Sequence, residues 1–244
     1  MKVVIASKRT LILATAVLLS AVMSITFASK ALVRKLNNSG ERKHVDVIID
    51  AGHGGEDGGA VGVDGIVEKH INLEISKDLH DICHLLGISS IMIREKDKAL
   101  YDSSAKTLRQ KKISDLRNRI LKTKENSTPE TIFVSVHQNK FPDSKYSGTQ
   151  VYYSPNNPKS EELADCIRLR VVSMIQNENK REIKESPGAF LLKNIEIPSV
   201  IVECGFISNE EEAKKLTSEM YQSQMALSIF CGINDFLLKE KSEG

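Results

Sequence analysis

The stretch VDVIIDAGH, residues 45–53, predicts a buried strand that leads directly to a histidine, His53. Two further runs have the same form, because TIFVSVH ends at His137 and SVIVEC carries Glu203 near its end. Short runs rich in valine and isoleucine are typical of buried strands, and ligands of α/β proteins bind beyond the carboxyl ends of the strands. We therefore expect these three side chains to converge at one edge of a sheet, in an arrangement typical of a catalytic metal site.

Strand and helix patterns alternate along the rest of the chain. Strand patterns near 45–50, 89–94, 131–136, 149–153 and 199–203 alternate with helical patterns near 68–86, 108–124, 158–179 and 219–238. Such alternation predicts an α/β fold, with a single domain whose mostly parallel central sheet is flanked by helices on both faces. No repeat of 20 to 50 residues is visible in the sequence, which disfavours solenoid and repeat architectures.

The first 29 residues have the composition of a signal peptide or signal anchor. Basic residues including Lys8 and Arg9 precede an uncharged, mostly apolar stretch from Thr10 to Phe27. This stretch of about 18 residues is just long enough to cross a bilayer, so the sequence leaves cleavage and retention both open. In either case we expect export across the cytoplasmic membrane, with the N-terminal segment in contact with that membrane.

The remaining chain divides into three parts by composition. Residues 30–44 are polar and basic and predict a linker, residues 45–238 predict the folded domain, and residues 239–244 predict a polar tail. The net charge of +2 is too small to suggest a nucleic acid partner, and no basic stripe is interleaved with aromatic residues.

The cysteines are too few and too widely spaced for a small disulfide-stapled domain. All of them fall in apolar periodic segments and are expected in the core, although a single disulfide stays open: Cys83, Cys166, Cys204 and Cys231.

The first predicted helix has a well-defined apolar stripe. At about 100° per residue, the stripe is about 80° wide and contains Ile71, Ile75, Leu79, Ile82 and Leu86. Glu68 falls inside the same stripe, so its carboxylate is expected to point inward, whereas His70, His80 and His84 are expected to face solvent. A buried carboxylate needs a partner, because its desolvation costs several kcal/mol. Interaction with the helix dipole, at about 0.3–1 kcal/mol, is one alternative for Glu68 and metal ligation is the other.

His53, Glu68 and His137 together match the three protein ligands of a catalytic zinc site, which leaves one position for water. The glycines around His53 allow a tight turn and a close approach to an ion. Glu203 is suited to take a proton from metal-bound water, although a salt-bridged acid at a strand end is the alternative. His80 and His84 have helical zinc-ligand spacing but lack the glutamate that follows the first histidine of that motif.

The motifs IIDAGHGGEDGGAVG, FVSVHQN and PSVIVECGFISN, with Glu68 after the first of them, occur in one order along the chain. In this respect the sequence resembles the zinc-dependent N-acetylmuramoyl-L-alanine amidases of bacterial cell-wall turnover. The resemblance runs through residues 45–238 and includes MIREKD, SDLRNR and GTQVYY. Within that family the chain is most similar to the sporulation-linked, germination-specific members known as the CwlD group.

The resemblance implies a zinc ion held by His53, Glu68 and His137, with Glu203 as the catalytic acid and base. The implied reaction is hydrolysis of the amide between N-acetylmuramic acid and L-alanine of the peptidoglycan stem peptide. The germination group implies a role in spore cortex maturation, together with a peptidoglycan deacetylase that forms muramic δ-lactam. It also implies a location in the cell wall or the forespore intermembrane space, and it leaves room for an exported accessory protein.

Two residues depart from the family pattern. Gln138 stands where small or aliphatic residues are common, and Cys204 stands where an aliphatic residue usually follows the catalytic glutamate. Two alternatives to a zinc amidase remain open from the sequence. One is a non-catalytic peptidoglycan-binding or regulatory protein that retains the fold, and the other is a cysteine hydrolase that uses Cys204 with His137.

Overall fold

The structure is a computed structural model that describes residues 44–243. The predicted signal segment, residues 1–29, lies outside the described residues, as does the predicted linker apart from His44.

One sheet forms the centre of the described domain. Its strands, in the spatial order β2-β1-β3-β6-β4-β5, are β1 (Val47–Ala51), β2 (Ser90–Met92), β3 (Ile132–Asn139), β4 (Gln150–Tyr153), β5 (Lys184–Glu185) and β6 (Ser199–Phe206). The first four strands in this order are mutually parallel, whereas β4 runs antiparallel to β6 and β5 runs parallel to β4. The predicted α/β fold with a mostly parallel sheet is confirmed.

Helices cover both faces of the sheet, as predicted. They are α1 (Glu68–Leu85), α2 (Leu108–Asn126), α3 (Lys159–Ile175), α4 (Phe190–Asn194), α5 (Glu210–Leu216) and α6 (Glu219–Glu243), with a short 3-10 helix at Val63–Gly65. Helices α1, α3 and α6 pack together on one face, and α2 and α4 lie on the other. Helix α6 continues through residues 239–243, which the sequence assigns to a polar tail, because lysine and glutamate are good helix formers.

Alternation along β1 supplies both halves of the core. Val47, Ile49 and Ala51 join the larger apolar cluster under α1, α3 and α6, and Ile48 joins the smaller cluster on the opposite face. Asp50 points to that opposite face as well and is fully buried there. Asp50 is therefore a buried charge at the centre of the sheet, and such a charge needs a partner of opposite charge nearby.

Helix α1 ends one residue earlier than the sequence pattern indicates. Leu86 lies past its last residue, Leu85, and is 58% exposed, so the prediction that Leu86 belongs to the buried stripe is wrong. Gly87 follows with a φ of 82°, a left-handed conformation that commonly ends a helix.

Of the histidines of α1, His70 and His84 are exposed as predicted, but His80 is half-buried. Its Nδ1 lies 2.8 Å from the hydroxyl of Ser90 at the sheet edge. No helix within residues 44–243 has both the length and the apolar character needed to cross a membrane.

Candidate active site

The carboxyl ends of β1, β3 and β6 lie side by side, since these strands are parallel neighbours. His137 is paired directly with Glu203 in the register of β3 and β6. His53 follows the end of β1, and its imidazole meets that of His137 edge to face, with ring centroids 5.1 Å apart. The structure therefore brings together the three strand-end side chains that the sequence singles out.

Glu68, the first residue of α1, completes the cluster and is only 3% exposed. Its Oε1 lies 2.9 Å from Nδ1 of His137, and its Oε2 lies 3.3 Å from Nε2 of His53. One ligand atom from each of the three residues lies within 4.8 Å of the others. These residues could therefore hold one metal ion, and they are the same three that the sequence predicts as ligands.

The other hydrogen bonds of Glu68 come from two loop or strand residues and from one residue on the next turn of its own helix. The backbone N–H groups of Ala60 and Gln138 donate to its carboxylate at 2.8 and 3.1 Å, and the side-chain amide of Asn72 donates at 3.2 Å. Burial raises the pKa of this carboxyl, but hydrogen bonds to His137 and His53 outweigh burial and lower the pKa well below its usual value. Glu68 is therefore an ionised carboxylate aimed at the two imidazoles rather than a cap of its own helix.

His53 is oriented by the carboxylate of Asp57, which is not among the site residues predicted from the sequence. Its Nδ1 lies 2.9 Å from Oδ2 of Asp57, which holds the ring so that Nε2 is directed at Glu68. A carboxylate behind a histidine in this way is the usual support for a metal ligand. Burial lowers the pKa of His53, but the hydrogen bonds to Asp57 and Glu68 outweigh it and raise the pKa to about 9.

Two glycines make the space in which the cluster fits. A Cβ at Gly59, where φ is 71°, would lie 2.5 Å from Oε2 of Glu68, and a Cβ at Gly52 would lie 2.3 Å from Cε1 of His137. Any side chain at either position would displace a member of the cluster. The glycine-rich loop after β1 therefore forms a cradle that leaves room for these side chains to lie close together, as they must to bind one ion.

Glu203 differs from Glu68 in its surroundings. Its Oε2 is buried and has no hydrogen-bond partner among the described residues, and no cation in the range 44–243 forms an ion pair with it. Burial raises its pKa, and the Glu68 carboxylate raises it further, against the opposing effect of His137. The alternative of a salt-bridged strand-end acid is thus not observed, and Glu203 is able to accept and release a proton.

Arg119 of α2 lies beneath the site and is 2% exposed. It donates to Oδ1 of Asp50 at 2.5 Å and to Oδ2 of Asp115 at 2.6 Å. It also donates to the backbone carbonyls of Ala51 and His53, at 2.9 and 2.7 Å. Since His53 has a φ of 62°, this guanidinium fixes the carbonyl of a residue in the left-handed region. The role of Arg119 is not apparent from the sequence, because an arginine in a polar helix is usually exposed.

Replacement of Arg119 with methionine is expected to destabilise the protein by about 3–5 kcal/mol, because it leaves the Asp50 carboxylate buried without its cation. Chemical denaturation measures the loss. Arg117→Met is the control, since Arg117 is exposed on the same helix and its replacement is expected to change the stability by less than about 0.5 kcal/mol. Equal stabilities of the two variants would contradict the role given to Arg119.

The cysteine-hydrolase alternative lacks an available thiolate. Cys204 is fully buried, and burial raises the pKa of its thiol far above the usual value. A reactive cysteine needs an exposed position and a lowered pKa. All the cysteines are free thiols, and three of them are buried as predicted: Cys83, Cys166 and Cys204.

Comparisons with known proteins identify the family. Residues 47–235 match the Amidase_3 family, described as N-acetylmuramoyl-L-alanine amidase. The chain is 35% identical over 187 residues to the germination-specific N-acetylmuramoyl-L-alanine amidase of Bacillus subtilis, and the match covers 77% of each protein. Both the family and the similarity to germination-specific members are as predicted.

Solved structures agree with this result. The CwlD amidase from Clostridioides difficile, determined in complex with the GerS lipoprotein, superposes with a TM-score of 0.76 at 41% identity, covering 80% of this chain and 100% of that one. AmiC2 of Nostoc punctiforme superposes with a TM-score of 0.67 at 29% identity, covering 80% of this chain and 97% of that one. The chain therefore belongs to the Amidase_3 family and is an enzyme of the N-acetylmuramoyl-L-alanine amidase class.

Proposed function

We propose that this amidase depends on zinc and that His53, Glu68 and His137 are the zinc ligands. The observation that carries the proposal is the clustering of one ligand atom from each residue within 4.8 Å. Two imidazoles and one carboxylate form a donor set that catalytic zinc takes with one position left for water. The glycine cradle and the carboxylate of Asp57 behind His53 support the same assignment.

The proposed reaction is hydrolysis of the amide between the lactyl group of N-acetylmuramic acid and L-alanine of the stem peptide. A zinc ion at the site would polarise the carbonyl and lower the pKa of a bound water. Glu203 takes a proton from the attacking water and passes it to the departing amine of L-alanine. A new C–O bond replaces the C–N bond, so the products are a lactyl carboxylate and a free peptide amine. The buried, unpartnered Oε2 of Glu203 supports this role.

We infer that the biological substrate is the peptidoglycan of the spore cortex. The similarity to the germination-specific amidase of Bacillus subtilis supports this inference. In this role the enzyme removes stem peptides so that a peptidoglycan deacetylase can complete muramic δ-lactam. The CwlD amidase was solved with a lipoprotein, which supports an exported accessory protein for this chain as well. Its location would be the cell wall or the forespore intermembrane space, reached through the predicted signal segment 1–29.

Zinc dependence is tested with the full-length protein before and after chelation. We expect the chelated protein to release no peptide from purified muropeptides, and we expect stoichiometric zinc to restore release of peptides that begin with a free L-alanine amine. Full activity in protein shown to contain no metal would contradict zinc dependence. A zinc-loaded protein that binds muropeptides but cleaves none, even with an accessory lipoprotein added, would favour the non-catalytic alternative.

The cortex role needs a separate test. We expect spores without this gene to lack muramic δ-lactam in their muropeptide profile. Normal δ-lactam content would contradict the cortex role while leaving the amidase activity intact.

A further inference from the structure

Arg181 lies at the same end of the sheet as Glu203. Its guanidinium carbon lies 4.6 Å from the ring centre of Phe206 and 5.8 Å from that of Tyr146. Its Nε donates to the carbonyl oxygen of Ser147 at 2.7 Å. A guanidinium held over aromatic faces keeps its outer N–H groups available while its position is fixed.

The outer nitrogens of Arg181 carry no described hydrogen bond, and no carboxylate in residues 44–243 forms an ion pair with it. Burial raises the pKa of Glu212 and the nearby charge of Arg181 opposes that rise, but the carboxylate oxygens of Glu212 already accept hydrogen bonds. They accept the backbone N–H groups of Gly148 at 2.9 Å and Phe206 at 2.8 Å. Arg181 therefore presents a cation with unused N–H donors at a cavity of about 560 Å³, which lies next to the candidate active site and is not lined by its four residues.

Strand register relates this cation to the catalytic residues. Gln150 of β4 is paired with Glu203, and its side-chain amide donates to the carbonyl of Glu182 at 2.5 Å. The backbone next to Arg181 is thus two strand spacings from Glu203, about 10 Å. Phe206, whose ring contacts the guanidinium of Arg181, lies three residues after Glu203 on the same strand. An extended peptide covers about 10 Å in three residues.

We propose that Arg181 binds a carboxylate of the stem peptide, two or three residues from the amide that is cleaved. This inference rests on the proposed function, since it gives the substrate of that site a second anchor. The guanidinium fork matches a carboxylate with two parallel hydrogen bonds, whereas the sugar side of the substrate offers mainly hydroxyl groups. The carboxylate is either the C-terminus of a tripeptide stem or the free carboxyl of its second residue, and the test separates the two.

The test uses muramyl tripeptides in four forms, with each of the two carboxyls either free or converted to a carboxamide. We expect amidation of the carboxyl that Arg181 binds to raise the KM of the wild-type enzyme by about 10- to 100-fold with kcat unchanged, as for loss of a charged hydrogen bond. Arg181→Gln is expected to have the raised KM whether that carboxyl is free or amidated. Lys184→Gln removes the same charge from a nearby exposed residue that does not line this cavity, and it is expected to behave as wild type.

The proposal would be overturned by an Arg181→Gln variant that still discriminates between the free and amidated substrates, or by an equal loss of discrimination in Lys184→Gln. Arg181→Lys keeps the charge without the fork and is expected to have an intermediate KM, so it replaces Arg181→Gln should the latter fail to fold. Binding of the free tripeptide product is measured separately. Loss of that binding in the Arg181 variants supports the proposal even if the wild-type protein cleaves nothing. Absence of cleavage by the wild-type protein would instead count against the proposed function.

Discussion

Replacement of Glu203 with glutamine is expected to lower kcat for peptide release by about 10²- to 10⁴-fold, the usual contribution of a general acid and base. Glutamine has the shape of glutamate but cannot take a proton from the attacking water. We expect zinc content, measured on the purified protein, to stay at the wild-type level, because the proposed ligand atoms belong to other residues. The folded structure is also expected to be retained, since the buried Oε2 of Glu203 has no hydrogen bond to lose.

Glu196→Gln is the matched control for this experiment. Glu196 is an exposed acid just before β6, and its replacement is expected to leave kcat unchanged. Loss of zinc in the Glu203 variant would point to a different site, in which Glu203 is a ligand and Glu68 has another role. Full activity in that variant would exclude Glu203 from proton transfer.

Replacement of Glu68 with glutamine is expected to weaken zinc binding by more than about 100-fold, which exceeds the usual effect of losing only a residue behind a ligand. The amide is a poor ligand for zinc, and it cannot balance the charge of an ion between two imidazoles. Competition with a chelator of known affinity measures the change. Peptide release is expected to fall in parallel and to recover in part when zinc is supplied in excess.

The control for Glu68 lies on the same helix. Glu74 is exposed and pairs with Lys77 at 2.9 Å, and an exposed pair of this kind contributes little to stability. Glu74→Gln is therefore expected to keep both zinc affinity and activity. Unchanged zinc affinity in Glu68→Gln would remove Glu68 from the ligand set and would return it to a structural role at the start of α1.

The sequence was sufficient to predict the sheet and the clustering of the candidate site residues, because both follow from local patterns. Val and Ile runs are buried on both faces in a parallel sheet, so β1, β3 and β6 are visible as continuous apolar stretches. Their shared direction places His53, His137 and Glu203 at one edge. The wheel of α1 was equally informative for Glu68, since one turn of a regular helix fixes the direction of each side chain.

The parts that were missed depend on contacts between distant segments. Arg119 and Asp50 are 69 residues apart, and nothing near either residue indicates that the other will neutralise it. Asp57 could have been found, since it lies four residues after His53 in the same loop, but a loop has no fixed periodicity to relate the two. The two residues of β5 are exposed and polar, and thus carry no apolar alternation.

Both edge strands of the sheet are short. Its outer strands are β2, with three residues, and β5, with two, whereas the central β3 and β6 have eight each. A long open edge would present a row of unpaired backbone groups to which another polypeptide could add as a further strand. Edge strands this short offer very few unpaired backbone groups to an added strand. The fold is thereby protected against edge-to-edge aggregation, a hazard for any protein that works among crowded neighbours.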